Sequence, residues 1–113
     1  MVTWQANDLS TSPPSRQISA SEDLRIDIDV TAQLGALEAV DSGVTPVVTC
    51  RNLDTDALVA TLPAASWQTG DVIRQRIEPG DLERGVTYEL IAYWKVATVT
   101  DVRATRLILV VVA

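Results

Sequence analysis

The feature that most constrains the fold is a turn followed by a long alternating segment at Gly80–Val96. Within it, Leu82, Gly85 and Tyr88 form a Leu-x-x-Gly-x-x-Tyr pattern, and every second residue after Tyr88 is apolar. In two-sheet β proteins, a tyrosine near the start of a late strand sends its hydroxyl back to the backbone a few residues upstream and fixes the corner. We therefore expect Tyr88 to bond an upstream carbonyl and to open a strand of a two-layer β protein.

Alternation elsewhere in the chain also predicts β structure. Leu24–Val30 is apolar at every second position and charged between, so one face is expected in the core and the other in water. Val72–Glu78 alternates in the same way. The chain has 113 residues, which is enough for one domain and too few for two. The sequence predicts an all-β, immunoglobulin-like antiparallel β-sandwich of about seven strands.

The N-terminal residues differ in composition from the rest of the chain. Ser, Thr and Pro cluster at Ser10–Ser15, which favours extended backbone and excludes a central strand. We therefore expect an extended N-terminal arm at residues 1–20 and the sandwich domain at residues 21–113. Trp4 and Leu9 lie on this arm. Trp4 is expected either to pack back onto its own sandwich or to dock, with the arm, on a neighbouring subunit.

Two further local patterns lie between the alternating segments. Thr31–Leu34 is compatible with one helical turn that ends at Gly35. Two β-rich runs, Pro46–Leu53 and Ala57–Leu62, flank a short Asp-bearing loop and predict a hairpin.

The chain carries little of the chemistry that catalysis requires. It has no histidine, which excludes His-dependent triads and imidazole ligands. Cys50 is the single cysteine, so no internal disulfide can form, and its apolar neighbours predict a small buried hydrophobe. Asp27 and Asp29 offer oxygen ligands for Ca²⁺, but no calcium-loop pattern follows, and a solvated strand face is the expectation. We expect no enzyme activity, no cofactor and no metal.

Charge and hydropathy limit the classes of partner. The net charge is −6, and an acidic chain lacks the electrostatic footprint of a nucleic-acid-binding protein. Met1–Gln5 lacks the basic start and apolar core of a signal peptide. The apolar run Leu107–Val112 is far too short to span a bilayer. We expect no nucleic-acid partner and no membrane partner, and synthesis in a cytoplasm.

Apolar side chains are the candidates for contact with other molecules. The last strand, Ala104–Val112, is apolar on both faces from Leu107 onward, as in a strand that is covered on both sides or buried by another chain. Trp67 and Tyr93 are either parts of the core, parts of a subunit contact, or rings of a glycan-binding platform. The predicted partner-binding residues are Trp4, Leu9, Trp67 and Tyr93.

With these residues in view, the chain resembles the small immunoglobulin-like structural proteins of tailed bacteriophages, of the fibre-to-tail adaptor, neck and head-decoration types. The similarity lies in Ile26–Leu34, where an apolar-Asp-apolar-Asp strand leads into a helical turn. It also lies in Gly85, Tyr88, Asp101 and Arg103 before a β-branched last strand. The resemblance implies a virion protein that contacts other virion proteins and copies of itself, with no active site to carry over.

The function expected from the sequence is therefore structural. The chain is predicted to be a tail, neck or capsid component of a phage-like particle that acts through subunit contacts. The alternative is a β-sandwich module that binds carbohydrate or a host surface through exposed aromatic rings.

Overall fold

A computed structural model of the protein describes residues 2–6, 13–97 and 101–112. Within these residues the chain forms eight strands and one short 3-10 helix, Thr31–Gln33. No helix in this part of the chain has the length and apolarity needed to cross a membrane. The strands are β1 Val2–Gln5, β2 Ser15–Ser19, β3 Leu24–Asp29, β4 Val47–Asn52, β5 Ser66–Gln68, β6 Val72–Ile77, β7 Thr87–Lys95 and β8 Val102–Val112.

The strands form two four-stranded sheets, which confirms the prediction of an all-β, sandwich-like fold. The first sheet has the order β1-β3-β6-β5, and the second has the order β2-β8-β7-β4. The prediction of a purely antiparallel sandwich is wrong at two pairs, because β1 pairs with β3 and β2 pairs with β8 in parallel. The other pairs of strands are antiparallel.

The core consists of the side chains at alternate positions of the long strands. Successive residues of a strand point to opposite sides of the sheet, so the alternating sequence buries one side of each strand. Burying one such Ile, Leu or Val side chain stabilises the fold by about 1.5–3 kcal/mol. The buried apolar residues on β3, β6, β7 and β8 are Leu24, Ile26, Ile28, Ile73, Ile77, Tyr88, Leu90, Ala92, Trp94, Leu107, Leu109 and Val111.

Polar side chains that enter the core have hydrogen-bond partners. Gln75 lies on the buried side of β6, and its amide donates to the carbonyls of Pro63 and Arg76 at 2.8 and 2.9 Å. The indole N–H of Trp94 donates to the hydroxyl of Thr105 at 3.1 Å. These bonds offset much of the cost of removing the polar groups from water.

Tyr88 fixes the corner before β7 through a bond to a different atom from the predicted one. The hydroxyl oxygen of Tyr88 accepts a hydrogen bond from the backbone N–H of Glu83 at 3.0 Å, whereas we expected a bond to a carbonyl. Gly85 has a φ of 73°, in the left-handed region that favours glycine. Its N–H donates to the carbonyl of Val111 at 2.9 Å, so the corner is also tied to β8.

The N-terminal residues that the structure describes lie in the two sheets of the same chain. β1 follows β3 in register from Val2↔Leu24 to Gln5↔Asp27. β2 follows β8 from Ser15↔Ile108 onward. Because β1 belongs to the first sheet and β2 to the second, the chain changes sheets between them. Each of the two strands forms an edge of its sheet.

The predicted helical turn is confirmed, and the predicted hairpin forms in part. The 3-10 helix Thr31–Gln33 occupies the expected position. After β4, the side chain of Asn52 accepts hydrogen bonds from the N–H groups of Asp54 and Thr55 and forms the turn. The returning segment then makes one isolated bridge, from Leu58 to Arg51, in place of a strand.

Candidate functional site

The outer face of the first sheet is covered by ion pairs. Asp27 on β3 accepts hydrogen bonds from Arg74 on β6 at 2.8 and 3.1 Å. Asp23 receives the same two-pronged contact from Arg76 at 3.2 and 3.0 Å. These carboxylates already have cationic partners, and the described residues contain no group of three or more metal-ligating side chains.

Asp27 is buried, whereas the sequence predicted a solvated side chain. It is 6% exposed because Arg74 and Gln5 cover it from the neighbouring strands. The hydrogen bond from the Arg74 guanidinium, which outweighs the effect of burial, holds the pKa of this carboxyl below its ordinary value.

The outer face of the second sheet is mixed, because its apolar side chains lie among polar ones. Apart from the ion pairs described below, the polar residues are Ser15, Gln17 and Ser19 on β2, Thr49 on β4, and Thr87 and Lys95 on β7. On β7 and β8 the residues between the core positions point outward, and the strand register brings them side by side with the outward residues of β4. We call the apolar side chains of this surface the apolar face. It consists of Val47, Ile91, Tyr93, Val102, Ala104, Ile108, Val110 and Val112.

Tyr93 lies in the middle of one row of the apolar face. It pairs with Val47 of β4 on one side and with Ala104 of β8 on the other. Tyr93 is 38% exposed and Val47 is 57% exposed. An aromatic ring flanked by apolar side chains at this level of exposure can be covered by a partner's side chains.

A shallow depression adjoins the apolar face at the edge of β4. It has a volume of about 370 Å³, and its lining is half apolar and half polar: Ile91, Tyr93 and Leu58 on the one hand, Thr49, Arg51 and Glu89 on the other. Leu58 is held there by its bridge to Arg51. The depression is large enough to receive one or two side chains of a partner.

A group of ion pairs interrupts the apolar face. Glu89 is 7% exposed and pairs with Arg51 at 2.9 Å and with Arg106 at 2.8 Å. Arg51 also pairs with Asp56 at 2.6 Å. We call Arg51, Glu89 and Arg106 the Glu89 cluster. Its two arginines surround one carboxylate, which leaves donor groups of the exposed Arg106 side chain available for polar contact with a partner.

The four predicted partner-binding residues have different surroundings in the structure. Trp4 on β1 is partly buried and packs against the core of its own chain. Trp67 on β5 also packs against the core, and its indole N–H donates to the carbonyl of Val44 at 2.9 Å. Tyr93 lies on the apolar face of the other sheet. Leu9 lies outside the described residues. The structure therefore does not bring Trp67 and Tyr93 onto one surface.

Other residues of the apolar face were missed by the sequence analysis. Val47 and Val102 show no pattern that separates an exposed from a buried strand position. The two-sided apolarity after Leu107 did signal Ile108 and Val110. The other residues of the apolar face can be identified only from the register of β4, β7 and β8, because this register places their side chains next to Tyr93.

Cys50 is a buried apolar side chain, as the sequence predicted. It is unpaired and lies in the core. Burial, with a smaller contribution from the Asp81 carboxylate, raises the pKa of its thiol to about 12. A thiol that stays protonated at neutral pH is a poor nucleophile and a poor metal ligand.

Comparison with known proteins adds no relative to this description. No protein family, no curated protein and no solved structure matches the chain. The geometry and charge of the apolar face are therefore the basis for a functional assignment.

Proposed function

We propose that this chain is a structural subunit that docks its apolar face on neighbouring proteins in a larger assembly. The observation that carries the proposal is the contrast between the two outer faces. Paired charges cover the first sheet, while the second presents one exposed apolar patch around Tyr93 and another along the end of β8, with polar residues between and beside them. An exposed apolar patch bordered by polar residues is typical of a site of association on a small domain.

Tyr93 is the expected anchor of this contact. A well-buried aromatic anchor contributes on the order of 2 kcal/mol to a protein interface. The neighbouring apolar side chains would exclude water around the ring, and the Glu89 cluster would form one polar border of the patch around Tyr93. Binding through such a surface needs no cofactor and no catalytic group.

The assembly that we propose is a phage-like particle, in which the chain would be a tail, neck or head component made in the host cytoplasm. The resemblance to phage structural proteins supports this setting. The strand orders β3-β6-β5 and β8-β7-β4, with a tyrosine corner before β7, support an immunoglobulin-like identity. The partners would be other virion proteins and copies of this chain. Capsid, portal or tail genes beside the coding sequence would favour the setting, and metabolic genes there would speak against it.

The substitution Val47→Lys tests the docking surface. It puts a charge into the row that contains Tyr93, and we expect it to weaken self-association at least tenfold, because a charged group would have to be desolvated in the contact. Leu37→Lys is the matched control: Leu37 is 99% exposed in the loop between the 3-10 helix and β4 and is not part of the apolar face, so its substitution should leave association unchanged. Sedimentation velocity measures the association, and circular dichroism checks the fold.

Two results would contradict the proposal. One is a wild-type chain that stays monomeric up to its solubility limit and binds no particle protein. The other is a Val47→Lys variant that assembles like the wild type. Glycan-array binding that disappears in Tyr93→Ala would instead favour the carbohydrate-binding alternative.

A further inference from the structure

β1 is a short strand at the edge of the first sheet and pairs with β3 along one side. We propose that β1 is exchanged between subunits, so that β1 of one chain adds to β3 of a second copy, with Trp4 as the anchor. This inference rests on the proposed assembly function and names one contact within it.

β1 carries its own binding groups. It pairs with β3 along Val2–Gln5, and the next residue, Ala6, donates its N–H to the carbonyl of Asp27 at 2.9 Å. The side chain of Trp4 packs against the core, and Ala6 is buried. Backbone hydrogen bonds together with one large apolar side chain are the means by which a peptide adds to the edge of a sheet.

The receiving edge is held in place by contacts that do not involve β1. On its other side, β3 pairs with β6 from Leu24↔Ile77 to Asp29↔Val72. Ile26 and Ile28 fix β3 in the core, where they are fully buried. β3 can therefore keep its position while one copy of β1 leaves and another arrives.

The connection to the rest of the chain allows exchange over a limited distance. β1 lies in the first sheet and the next strand, β2, lies in the second. The chain from Ala6 to Pro13 can span at most about 25 Å when fully extended. The molecule measures 44 × 26 × 25 Å, so this span is about one molecular width. β1 can reach only a copy that is packed directly against its own.

Exchange costs little because the closed and exchanged forms contain the same contacts. An element that moves to an identical site on another copy regains its hydrogen bonds and its buried surface. Docking through the apolar face would hold two copies together and raise the effective concentration of one β1 near the other β3. Docked copies therefore allow exchange to compete with closed pairing, and dilution favours the closed form.

Paired cysteine variants test the exchange. Thr3 and Arg25 are partners in the β1–β3 register. Adjacent strands lie about 4.8 Å apart, which suits a disulfide. Thr3→Cys and Arg25→Cys are made in separate, differently tagged chains, both with Cys50→Ala, and the two chains are refolded together and oxidised. We expect a covalent heterodimer on a non-reducing gel. Arg84→Cys, at an exposed turn position, replaces Arg25→Cys in the control and should give no heterodimer.

A double variant with Thr3→Cys and Arg25→Cys in one chain completes the experiment. If it links within one chain while the mixture gives no heterodimer above the Arg84→Cys control, exchange is overturned. A short bismaleimide cross-linker replaces oxidation if the double variant does not oxidise. Self-association that depends on Val47, combined with links only within chains, would leave the assembly function standing without exchange. A heterodimer from chains that carry Val47→Lys and associate no further would support exchange and count against the apolar face.

Discussion

Among single residues, Tyr88 has a role that its surroundings make specific. Its ring belongs to the core, and its hydroxyl oxygen accepts the N–H of Glu83. The ring therefore fills space between the sheets, and the hydroxyl accepts a hydrogen bond from a backbone N–H in a turn that has few strand partners.

We predict that Tyr88→Phe destabilises the domain by about 1–3 kcal/mol, because the substitution keeps the ring but leaves the N–H of Glu83 without this acceptor. Urea unfolding at unchanged m-value measures the loss. Tyr93→Phe is the matched control on the exposed apolar face and should change stability by less than about 0.5 kcal/mol. Equal effects of the two substitutions would mean that the corner bond contributes nothing.

The sequence predicted the corner but not the atom that Tyr88 bonds. The spacing of Leu82, Gly85 and Tyr88 is local, so a pattern can reveal it. Whether a carbonyl or an N–H points at the hydroxyl depends on the backbone orientation at Glu83, which no residue type encodes. Asp27 was expected in water for a similar reason. Arg74, which covers it, lies on β6, and the register between β3 and β6 cannot be predicted from the sequence of either strand alone.

At the level of elements, the long strands were predictable and the short ones were not. β3, β6 and β7 have enough alternating positions for the period to be visible. β1 and β2 have four and five residues and pair in parallel with strands far away in sequence. The Ser/Thr/Pro cluster near them indicated an extended arm. It said nothing about which sheet an extended segment would join.

The turn before β7 supplies a prediction at this scale. Gly85→Ala should destabilise the domain by about 1–2 kcal/mol, because alanine is strained at a φ of 73° even though no atom lies within 4 Å of the new Cβ. Gly43→Ala is the control, since Gly43 has no positive φ. Thermal unfolding of both variants gives the comparison. A Gly85→Ala variant as stable as Gly43→Ala would show that the turn can adopt another conformation.

Across the whole molecule, arginine–carboxylate pairs join segments that are distant in sequence. In each pair, the hydrogen bonds from arginine hold the pKa of the carboxyl below its ordinary value. The unfolded chain then binds more protons than the folded chain at acid pH. The pairs are Arg76 with Asp23, Arg74 with Asp27 and Arg103 with Glu38.

We predict that the free energy of unfolding is constant near neutral pH and falls as the pH drops below the ordinary carboxyl range, at about pH 4. The stabilisation is present above the unfolded-state pKa and is lost as the pH falls through the lowered folded-state pKa. Asp27→Asn removes one of the contributing groups and should make the decline shallower. Chemical denaturation at a series of pH values measures this, and an unchanged slope in Asp27→Asn would exclude a contribution from the Asp27–Arg74 pair.

The apolar face is also a property of the whole molecule, which is why the sequence revealed it in part. Tyr93 and the end of the last strand were visible as apolar residues in exposed alternation. These residues lie on one surface with Val47 and Val102 only because of the register of β4, β7 and β8. Such long-range pairing is decided by the packing of the complete core and not by any one segment.

In the assembly that we propose, the different chemistry of the two outer faces would orient each copy of the chain. Copies that bury the apolar face against a common partner must all point the charged face of the first sheet in the opposite direction. A ring or shell made of them would have an inner and an outer wall of different chemistry, fixed by the monomer before any assembly begins.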